Sequence, residues 1–256
     1  MKGIFKQGCL ALFAVGTLSV NGCKADNKPQ EKTEKTQHTT DSSSILQYKI
    51  REVSGNEKPV LVILMHGFGA DDNDLLPLAE SFPPNYIVVT PQGPYQIGSN
   101  NYQWYTSEKA PDGSLDGKLS EIDSSVAKIT AFVKEMQAKY NVSPQRTFIG
   151  GFSQGANMSY ELGLKDPSLF KGIGILSGTI FNSLKKQYVP AKSDSLQIFI
   201  GHGDADNRIP YVNAEKSRDW LTTHHFKPEF HTYKGMSHAI SPDEVNDFLL
   251  FIQKNL

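Results

Sequence analysis

Short runs of apolar residues recur along the chain from position 45 onward and alternate with longer amphipathic stretches. The continuously apolar runs, which are typical of strands buried on both faces of a sheet, cover residues 60–65, 86–90, 146–150, 172–176 and 196–200. Residues 45–53 alternate between apolar and polar positions and predict an edge strand, while residues 229–233 predict the last strand.

The amphipathic stretches predict helices over residues 72–82, 120–140, 156–162, 211–225 and 242–254. Strands and helices that alternate in this way predict an α/β fold, with a mostly parallel, doubly wound sheet and helices on both of its faces. Residues 45–256 are enough for one domain with a sizeable core. Ligands of such a sheet lie at the carboxyl ends of the strands, so candidate functional residues are sought there.

The N-terminal segment has a different pattern. Lys2 and Lys6 precede an apolar run over residues 9–20 that is too short to span a bilayer, so residues 1–22 are predicted to be a signal peptide of the lipoprotein type. Residues 20–23, Val-Asn-Gly-Cys, resemble a bacterial lipobox, and we expect Cys23 to carry a lipid that anchors the protein to a membrane. Val20 and Gly22 also suit an ordinary signal peptidase, which would leave Cys23 as a free thiol.

Residues 23–44 are rich in Lys, Glu, Thr, Gln, Asp and Ser and contain few large apolar side chains. Such a segment buries too little surface to offset the entropy of ordering, so it is predicted to be a flexible polar tether. The expected location is therefore the bacterial cell envelope, with a lipid-anchored lipoprotein as the first interpretation and a secreted or periplasmic protein as the alternative.

Composition excludes several other classes of function. The formal net charge is -1 and no basic block occurs, so we expect no nucleic-acid partner. The two cysteines, Cys9 and Cys23, both precede position 45, so the folded part has no disulfide and no cysteine-based metal site. Residues 71–74, Asp-Asp-Asn-Asp, lack the Gly and the distal Glu of a calcium loop, and helix capping is predicted there instead of a metal site.

Residues 151–155, Gly-Phe-Ser-Gln-Gly, form the most informative motif of the chain. They lie between a predicted buried strand and a predicted helix, and a Ser at the apex of a strand-turn-helix unit is typical of a nucleophile elbow. The turn strains the backbone of the Ser, so the residues two positions away must be small, as Gly151 and Gly155 are. The motif predicts that Ser153 is a nucleophile.

A Ser nucleophile needs a base, and on this fold the acid and then the His follow the Ser along the chain. His238 follows the last predicted strand directly and is the candidate base. Two acids compete in the loop after residues 196–200: Asp206, which fits the spacing H-G-x-x-D, is the first choice, and Asp204 is the alternative. The acid would orient the imidazole and stabilise the imidazolium.

An oxyanion needs two backbone donors aimed at one point. The N–H of Gln154, directly after the nucleophile, is the first candidate. The loop after the first buried strand reads His-Gly-Phe-Gly over residues 66–69, and its glycines allow the backbone to present the N–H of Phe68 inward.

Four segments together resemble one known family. Residues 64–75, 104–105, 151–156 and 202–206 occur in the order and form found in the carboxylesterase/phospholipase family of α/β hydrolases, which includes acyl-protein thioesterases. The resemblance covers about residues 59–256 and implies an α/β-hydrolase fold. It also implies a triad of Ser153, Asp206 and His238, oxyanion donors at Phe68 and Gln154, and no cofactor.

The long segment over residues 92–119 has few helical or strand signals and is predicted to be an irregular loop. Its aromatic residues Tyr102, Trp104 and Tyr105 are expected to wall the substrate pocket, with core packing of Trp104 as the alternative.

Taken together, the motifs predict a serine esterase that acts on small-molecule esters with short- to medium-chain or aryl groups, through an acyl-enzyme on Ser153. The alternatives are an acyltransferase, thioesterase or peptidase with the same triad, or a non-catalytic binding protein of the cell envelope.

Overall fold

Eleven strands and five α-helices follow one another along residues 43–53, 57–110, 115–190 and 195–256, the parts of the chain that this computed structural model describes. The predicted signal peptide, Cys23 and the tether up to residue 42 lie outside the described residues. The strands are β1 (Tyr48–Arg51), β2 (Val60–Met65), β3 (Tyr86–Pro91), β4 (Tyr95–Gly98), β5 (Asn101–Gln103), β6 (Ser107–Lys109), β7 (Leu115–Gly117), β8 (Thr147–Phe152), β9 (Gly172–Leu176), β10 (Gln197–Gly203) and β11 (Glu229–Tyr233). The helices are α1 (Leu119–Lys139), α2 (Gln154–Lys165), α3 (Asn182–Gln187), α4 (Tyr211–Thr223) and α5 (Pro242–Lys254), with short 3₁₀ helices at Leu76–Ser81, Pro144–Arg146 and Pro167–Leu169.

Seven of the strands form one sheet in the order β1-β3-β2-β8-β9-β10-β11. The edge strand β1 pairs antiparallel with β3, and the other neighbours pair in parallel. The order runs outward in both directions from β2, so the predicted doubly wound, mostly parallel sheet is confirmed. The carboxyl ends of β2, β8, β9 and β10 consequently meet at one edge of the sheet.

The core lies on both faces of this sheet. Alternate residues of β2 point to opposite faces, as the two-residue period of a strand requires. Leu61, Ile63 and Met65 pack with residues of α1, α2 and α4, whereas Val60, Val62 and Leu64 pack with residues of α5. Both sets are fully buried, which explains why the run is continuously apolar in the sequence.

The predicted helix over residues 72–82 is wrong, because only a 3₁₀ helix at Leu76–Ser81 forms there. The side chain of Asp71 accepts a hydrogen bond from the N–H of Asn73 at 2.9 Å, which stabilises a turn where an α-helix would begin. Pro77 removes one backbone donor from the following residues. The capping prediction is also wrong, since the residue before the 3₁₀ helix is Leu75 and no side chain caps it.

The segment over residues 92–119 contains two hairpins where an irregular loop was predicted. Strand β4 pairs antiparallel with β5, and β6 pairs antiparallel with β7. The strands β6 and β7 have three residues each, and Leu115 is the only large apolar residue in them, so they lack the apolar alternation that would reveal them in a sequence. Asp116 of β7 accepts hydrogen bonds from the N–H and the hydroxyl of Ser183, which ties the second hairpin to α3.

One buried carboxyl has an electrostatic cost to the fold. The side chain of Glu244, in the first turn of α5, is completely buried against Gly201 of β10. Neither of its carboxyl oxygens has a hydrogen-bond partner among the described residues. Burial therefore disfavours the charged form and raises the pKa of Glu244 to about 8.

Glu244→Gln should stabilise the protein above neutral pH. An acid with a raised pKa in the folded state destabilises that state progressively as pH rises from its unfolded pKa, about 4.5, to its folded pKa, about 8. The melting temperature of the variant should exceed that of the wild type by on the order of 5 °C at pH 8.5 and by little at pH 4.5. Glu57→Gln, at an exposed glutamate, serves as the matched control. A variant less stable than the wild type at pH 8.5 would contradict the raised pKa of Glu244.

Candidate active site

Ser153 stands at a sharp turn between β8 and α2, with φ of 54° and ψ of -109°. A positive φ is unfavourable for a residue with a side chain, so the turn must be held by its surroundings. The N–H of Ser153 donates to the carbonyl of Leu176 in β9 at 2.9 Å. Its carbonyl accepts from the N–H of Asn157 in α2 at 3.1 Å. These bonds fix the turn to the neighbouring strand and to its own helix.

The two glycines of the motif allow the turn to touch the end of β2. A Cβ atom on Gly151 would lie 2.6 Å from the carbonyl oxygen of Met65. A Cβ atom on Gly155 would overlap that same oxygen. Glycine is required at both positions because backbone from two elements meets there without space for a side chain.

His238 connects Ser153 with Asp206. Its Nε2 lies 2.8 Å from the Ser153 Oγ, and its Nδ1 lies 2.7 Å from the Asp206 Oδ2. Since the carboxylate only accepts, Nδ1 carries a proton and Nε2 is free to accept the proton of the hydroxyl. The three residues predicted from the sequence are therefore brought together in the geometry of a nucleophile, a base and an orienting acid.

Asp206 is held in its ionised form. Burial of the carboxyl opposes ionisation, but the hydrogen bonds from His238 and from the N–H groups of Ile209 and Arg208 outweigh it and lower the pKa of Asp206. The N–H of Ile209 donates to Oδ1 at 2.9 Å, and the N–H of Arg208 donates to the same oxygen at 2.8 Å. Each carboxylate oxygen thus has its own donors, and the orientation of the group toward His238 is fixed.

Asp204 occupies a different place in the same loop. It is exposed, and its Oδ1 accepts a hydrogen bond from the N–H of Gly235 at 2.6 Å. Gly235 has φ of 71° and lies three residues before His238. Asp204 therefore supports the turn that leads to His238, whereas Asp206 contacts the imidazole itself.

A second histidine lies beneath the acid and was not predicted as part of the site. His202 is fully buried, and its Nε2 donates to the carbonyl of Ile209 at 2.8 Å. The same nitrogen lies 3.3 Å from the Asp206 Oδ2. Burial lowers the pKa of His202, which keeps this ring neutral next to the carboxylate. Its position in the H-G-x-x-D segment was the only signal in the sequence.

Two backbone N–H groups are available near the nucleophile. The N–H of Gln154 is at the first position of α2, and the N–H of Phe68 is in the loop after β2. Neither donates to an acceptor within the described part of the chain. The next residue, Gly69, has φ of 81° and donates to the carbonyl of Tyr102 at 2.8 Å, which anchors the loop. The side chain of Phe68 is 59% exposed, so the fold fixes the position of the Phe68 backbone and not that of its side chain.

Trp104 and Tyr105 lie in the core and do not wall an open pocket, which corrects the prediction for these two residues. The Gln154 side chain accepts from the N–H of Trp104 at 2.7 Å and donates to the carbonyl of Tyr105 at 2.7 Å. The hydroxyl of Tyr105 accepts from the Asn157 side chain at 2.9 Å. The two aromatic residues thus fix the start of α2 from within the core. Tyr102 is half-buried and contacts the Gly69 loop.

His66 joins the loop after β2 to the same aromatic residues. Its Nδ1 donates to the carbonyl of Gly67 at 2.7 Å, and its Nε2 accepts from the N–H of Gly93 at 2.9 Å. Burial lowers the pKa of His66, as this arrangement requires, because a protonated ring could not accept the Gly93 bond. The Trp104 indole donates to the His66 carbonyl at 2.9 Å.

The described residues contain no group of three or more His, Cys, Asp or Glu side chains placed to hold a metal ion. None of the helices in the described ranges is long and apolar enough to cross a bilayer.

Comparison with known proteins gives consistent matches. The family model for phospholipases and carboxylesterases matches residues 48–256. Acyl-protein thioesterase 1 of Kluyveromyces lactis is 32% identical over 163 residues, which cover 61% of this chain and 68% of that protein. Acyl-protein thioesterase 1 of Yarrowia lipolytica is 28% identical over 209 residues, which cover 76% of this chain and 91% of that protein. The crystal structure of esterase PE8 is similar with a TM-score of 0.69 at 26% identity and covers 82% of this chain and 99% of its own.

The expected location in the bacterial cell envelope is wrong. The chain matches acyl-protein thioesterases of yeasts and other fungi, and these eukaryotic relatives overturn the expectation of a bacterial envelope lipoprotein. The lipid anchor on Cys23 is unsupported, and that residue lies outside the described ranges.

Gly155→Ala should destabilise the elbow, because the added methyl group overlaps the Met65 carbonyl, which belongs to a central strand and cannot move freely. We expect a loss of roughly 3 kcal/mol, measured as a fall of about 10 °C in melting temperature. Gly98→Ala is the matched control, since its Cβ would lie 3.5 Å from the nearest atom, in ordinary contact. Equal melting temperatures for the two variants would contradict the close packing of the elbow on β2.

Proposed function

Since the chain belongs to the phospholipase/carboxylesterase family of α/β hydrolases, we propose that it hydrolyses carboxylic esters through an acyl-enzyme on Ser153. The observation that carries this proposal is the contact of 2.8 Å between the Ser153 Oγ and the His238 Nε2. A serine hydroxyl is a weak nucleophile at neutral pH, and a base at hydrogen-bond distance is what activates it.

In the first half of the reaction, the Ser153 Oγ attacks the ester carbonyl while the His238 Nε2 takes its proton. The carbonyl oxygen becomes negatively charged and accepts hydrogen bonds from the N–H groups of Phe68 and Gln154. Asp206 stabilises the imidazolium, and collapse of the tetrahedral intermediate breaks the bond to the alcohol. His238 returns the proton to the leaving oxygen, and the acyl group remains on Ser153.

In the second half, water takes the place of the alcohol. His238 removes a proton from the water as its oxygen attacks the acyl carbonyl, and the same two N–H groups stabilise the second oxyanion. When the bond to Ser153 breaks, His238 gives the proton back to the Oγ. The products are the carboxylic acid and the free enzyme.

The proposed substrates are soluble esters with short- to medium-chain or aryl groups. The described residues contain no inserted helical domain, and the segment that follows β3 forms two small hairpins. Each buried methylene of a substrate contributes about 0.8 kcal/mol, so the preference for longer chains should stop where the site is filled.

Thioester hydrolysis is the second candidate, favoured by the relatives that are named acyl-protein thioesterases. The same acyl-enzyme would form, with a thiol in place of the alcohol as the leaving group. A non-catalytic binding role is disfavoured because the hydroxyl, imidazole and carboxylate are in mutual hydrogen-bond contact, an arrangement that binding alone would not need.

Ser153→Ala should lower kcat by roughly 10⁵-fold or more on every substrate, because no acyl-enzyme can form. Rates are measured on matched pairs of oxygen esters and thioesters with acetyl, butyryl, octanoyl and palmitoyl chains. Covalent labelling with a fluorophosphonate tests the nucleophile directly. A folded Ser153→Ala protein that still turns over these substrates would refute the proposal. A wild type with higher kcat/KM on palmitoyl than on butyryl esters would refute only the proposed chain length.

The two acids should differ in their effect on kcat. Asp206→Asn should lower kcat by roughly 10⁴-fold, because an amide favours the wrong tautomer of His238. Asp204→Asn keeps an oxygen that can accept from the Gly235 N–H, so a decrease of less than about tenfold is expected. The comparison is made at constant pH with melting temperatures as the check on folding. The reverse ranking would assign the orienting role to Asp204.

A further inference from the structure

A cavity of about 600 Å³, which none of the triad residues lines, has no part in the mechanism described above. Its described lining residues come from β6 and β7, the segment between β9 and α3, α3, the loop after β10, and α4. We call it the basic cavity because four cationic residues from separate elements line it: Lys109, Lys185, Arg208 and Lys216. The other lining residues are neutral, namely Leu115, Thr179, Ile180, Asn182, Pro210 and Asn213.

Within the described residues, the cations that line the basic cavity have no carboxylate partner in an ion pair. Asp116, on the adjacent strand, accepts hydrogen bonds from Ser183 and lines a neighbouring cavity together with Glu108 and Lys109, so these two carboxylates are not among the lining residues of the basic cavity itself. Burial and the nearby Lys216 lower the pKa of Lys185, as expected for like charges held close together.

The cavity and the nucleophile share one edge of the sheet. Arg208 is two residues beyond Asp206, and its N–H donates to the Asp206 Oδ1 at 2.8 Å. Thr179 follows β9, and its N–H donates to the Asn157 side chain, one helical turn after Ser153, at 2.8 Å. In the sheet order, β8 stands between β2, which leads to Phe68, and β9 and β10, which lead to the cavity. The cavity therefore lies on the side of Ser153 opposite the Phe68 loop.

We propose that the basic cavity binds an anionic group, a carboxylate or a phosphate, at the end of the substrate remote from the scissile bond. This inference rests on the proposed function and narrows it from esters in general to esters that carry such a charge. A concave site lined by cations of one sign concentrates its own field and attracts anions. Arg and Lys are also the side chains that bind carboxylate and phosphate oxygens most effectively.

The proposal is tested with three 4-nitrophenyl esters of similar acyl length: the neutral butyrate, the glutarate half-ester and the 4-phosphonobutyrate. The wild type is compared with Lys185→Gln/Lys216→Gln at low ionic strength, where screening is weak. We expect wild-type kcat/KM to be at least tenfold higher on one of the two anionic esters than on butyrate. Loss of both lysines should reduce this ratio by roughly tenfold, which corresponds to about 0.7 kcal/mol for each charge.

The matched control is Lys134→Gln/Lys227→Gln, which removes the same charge from exposed positions on α1 and in the loop before β11. Its ratio should equal that of the wild type. The proposal is overturned if neither anionic ester is preferred over butyrate, or if the cavity variant and the control variant change the ratio equally. The preferred anion, carboxylate or phosphonate, identifies which of the two groups the cavity accepts.

A folded wild type that hydrolyses none of the three esters would refute the proposed function and not the basic cavity. In that case calorimetric titration with glutarate and with inorganic phosphate tests the cavity directly. Binding of either anion that weakens at least tenfold in Lys185→Gln/Lys216→Gln, and not in the control variant, supports the anionic site. Absence of binding by both anions to the wild type overturns it.

Discussion

The positive φ of Ser153 is the constraint on which the rest of the active site depends. A side chain at φ of 54° costs on the order of 1–3 kcal/mol, and the conformation persists only where several contacts impose it. Here the Leu176 carbonyl of β9 accepts a hydrogen bond from the Ser153 N–H, and the Met65 carbonyl of β2 packs against Gly155. The registers of three adjacent strands therefore determine where one hydroxyl points, and a change in any of them would displace it from His238.

The start of α2 is held by a second set of buried hydrogen bonds. The Gln154 side chain forms two bonds of 2.7 Å to the backbone of Trp104 and Tyr105, in surroundings from which water is excluded. An unsatisfied amide at this place would cost about 1–3 kcal/mol, so the bonds fix the residue strongly. Because the N–H of the same Gln154 is the proposed oxyanion donor, the buried aromatic segment determines the aim of that donor without contact with any substrate.

The sequence was sufficient to predict features that depend on neighbouring residues. It was insufficient to predict contacts between segments that are far apart in the chain. The buried strands are visible in the sequence because burial on both faces requires continuously apolar runs. Ser153 and His238 are visible because the turn needs its glycines and the fold prescribes the order of the triad along the chain. Asp206 was preferred to Asp204 on spacing alone, since both lie in one loop and only the direction of a carboxylate distinguishes them. The role of Trp104 was missed because its partner, Gln154, is 50 residues away, and no local pattern records such a bond.

The basic cavity shows the same limit in terms of charge. A formal net charge of -1 describes a nearly balanced chain, which is why no nucleic-acid partner is predicted from the sequence. The net charge gives no sign of the cavity. Its four cations are spread over more than a hundred positions of the sequence, and each lies among ordinary neighbours: Lys109, Lys185, Arg208 and Lys216. Only the fold places them around one space, and no carboxylate is among the described residues that line it. Like charges held together in this way repel one another and oppose folding, and binding of an anion would relieve that repulsion. An anionic substrate that binds these four side chains would therefore also stabilise the folded protein. The same charges that would attract the substrate are the ones whose repulsion it would relieve.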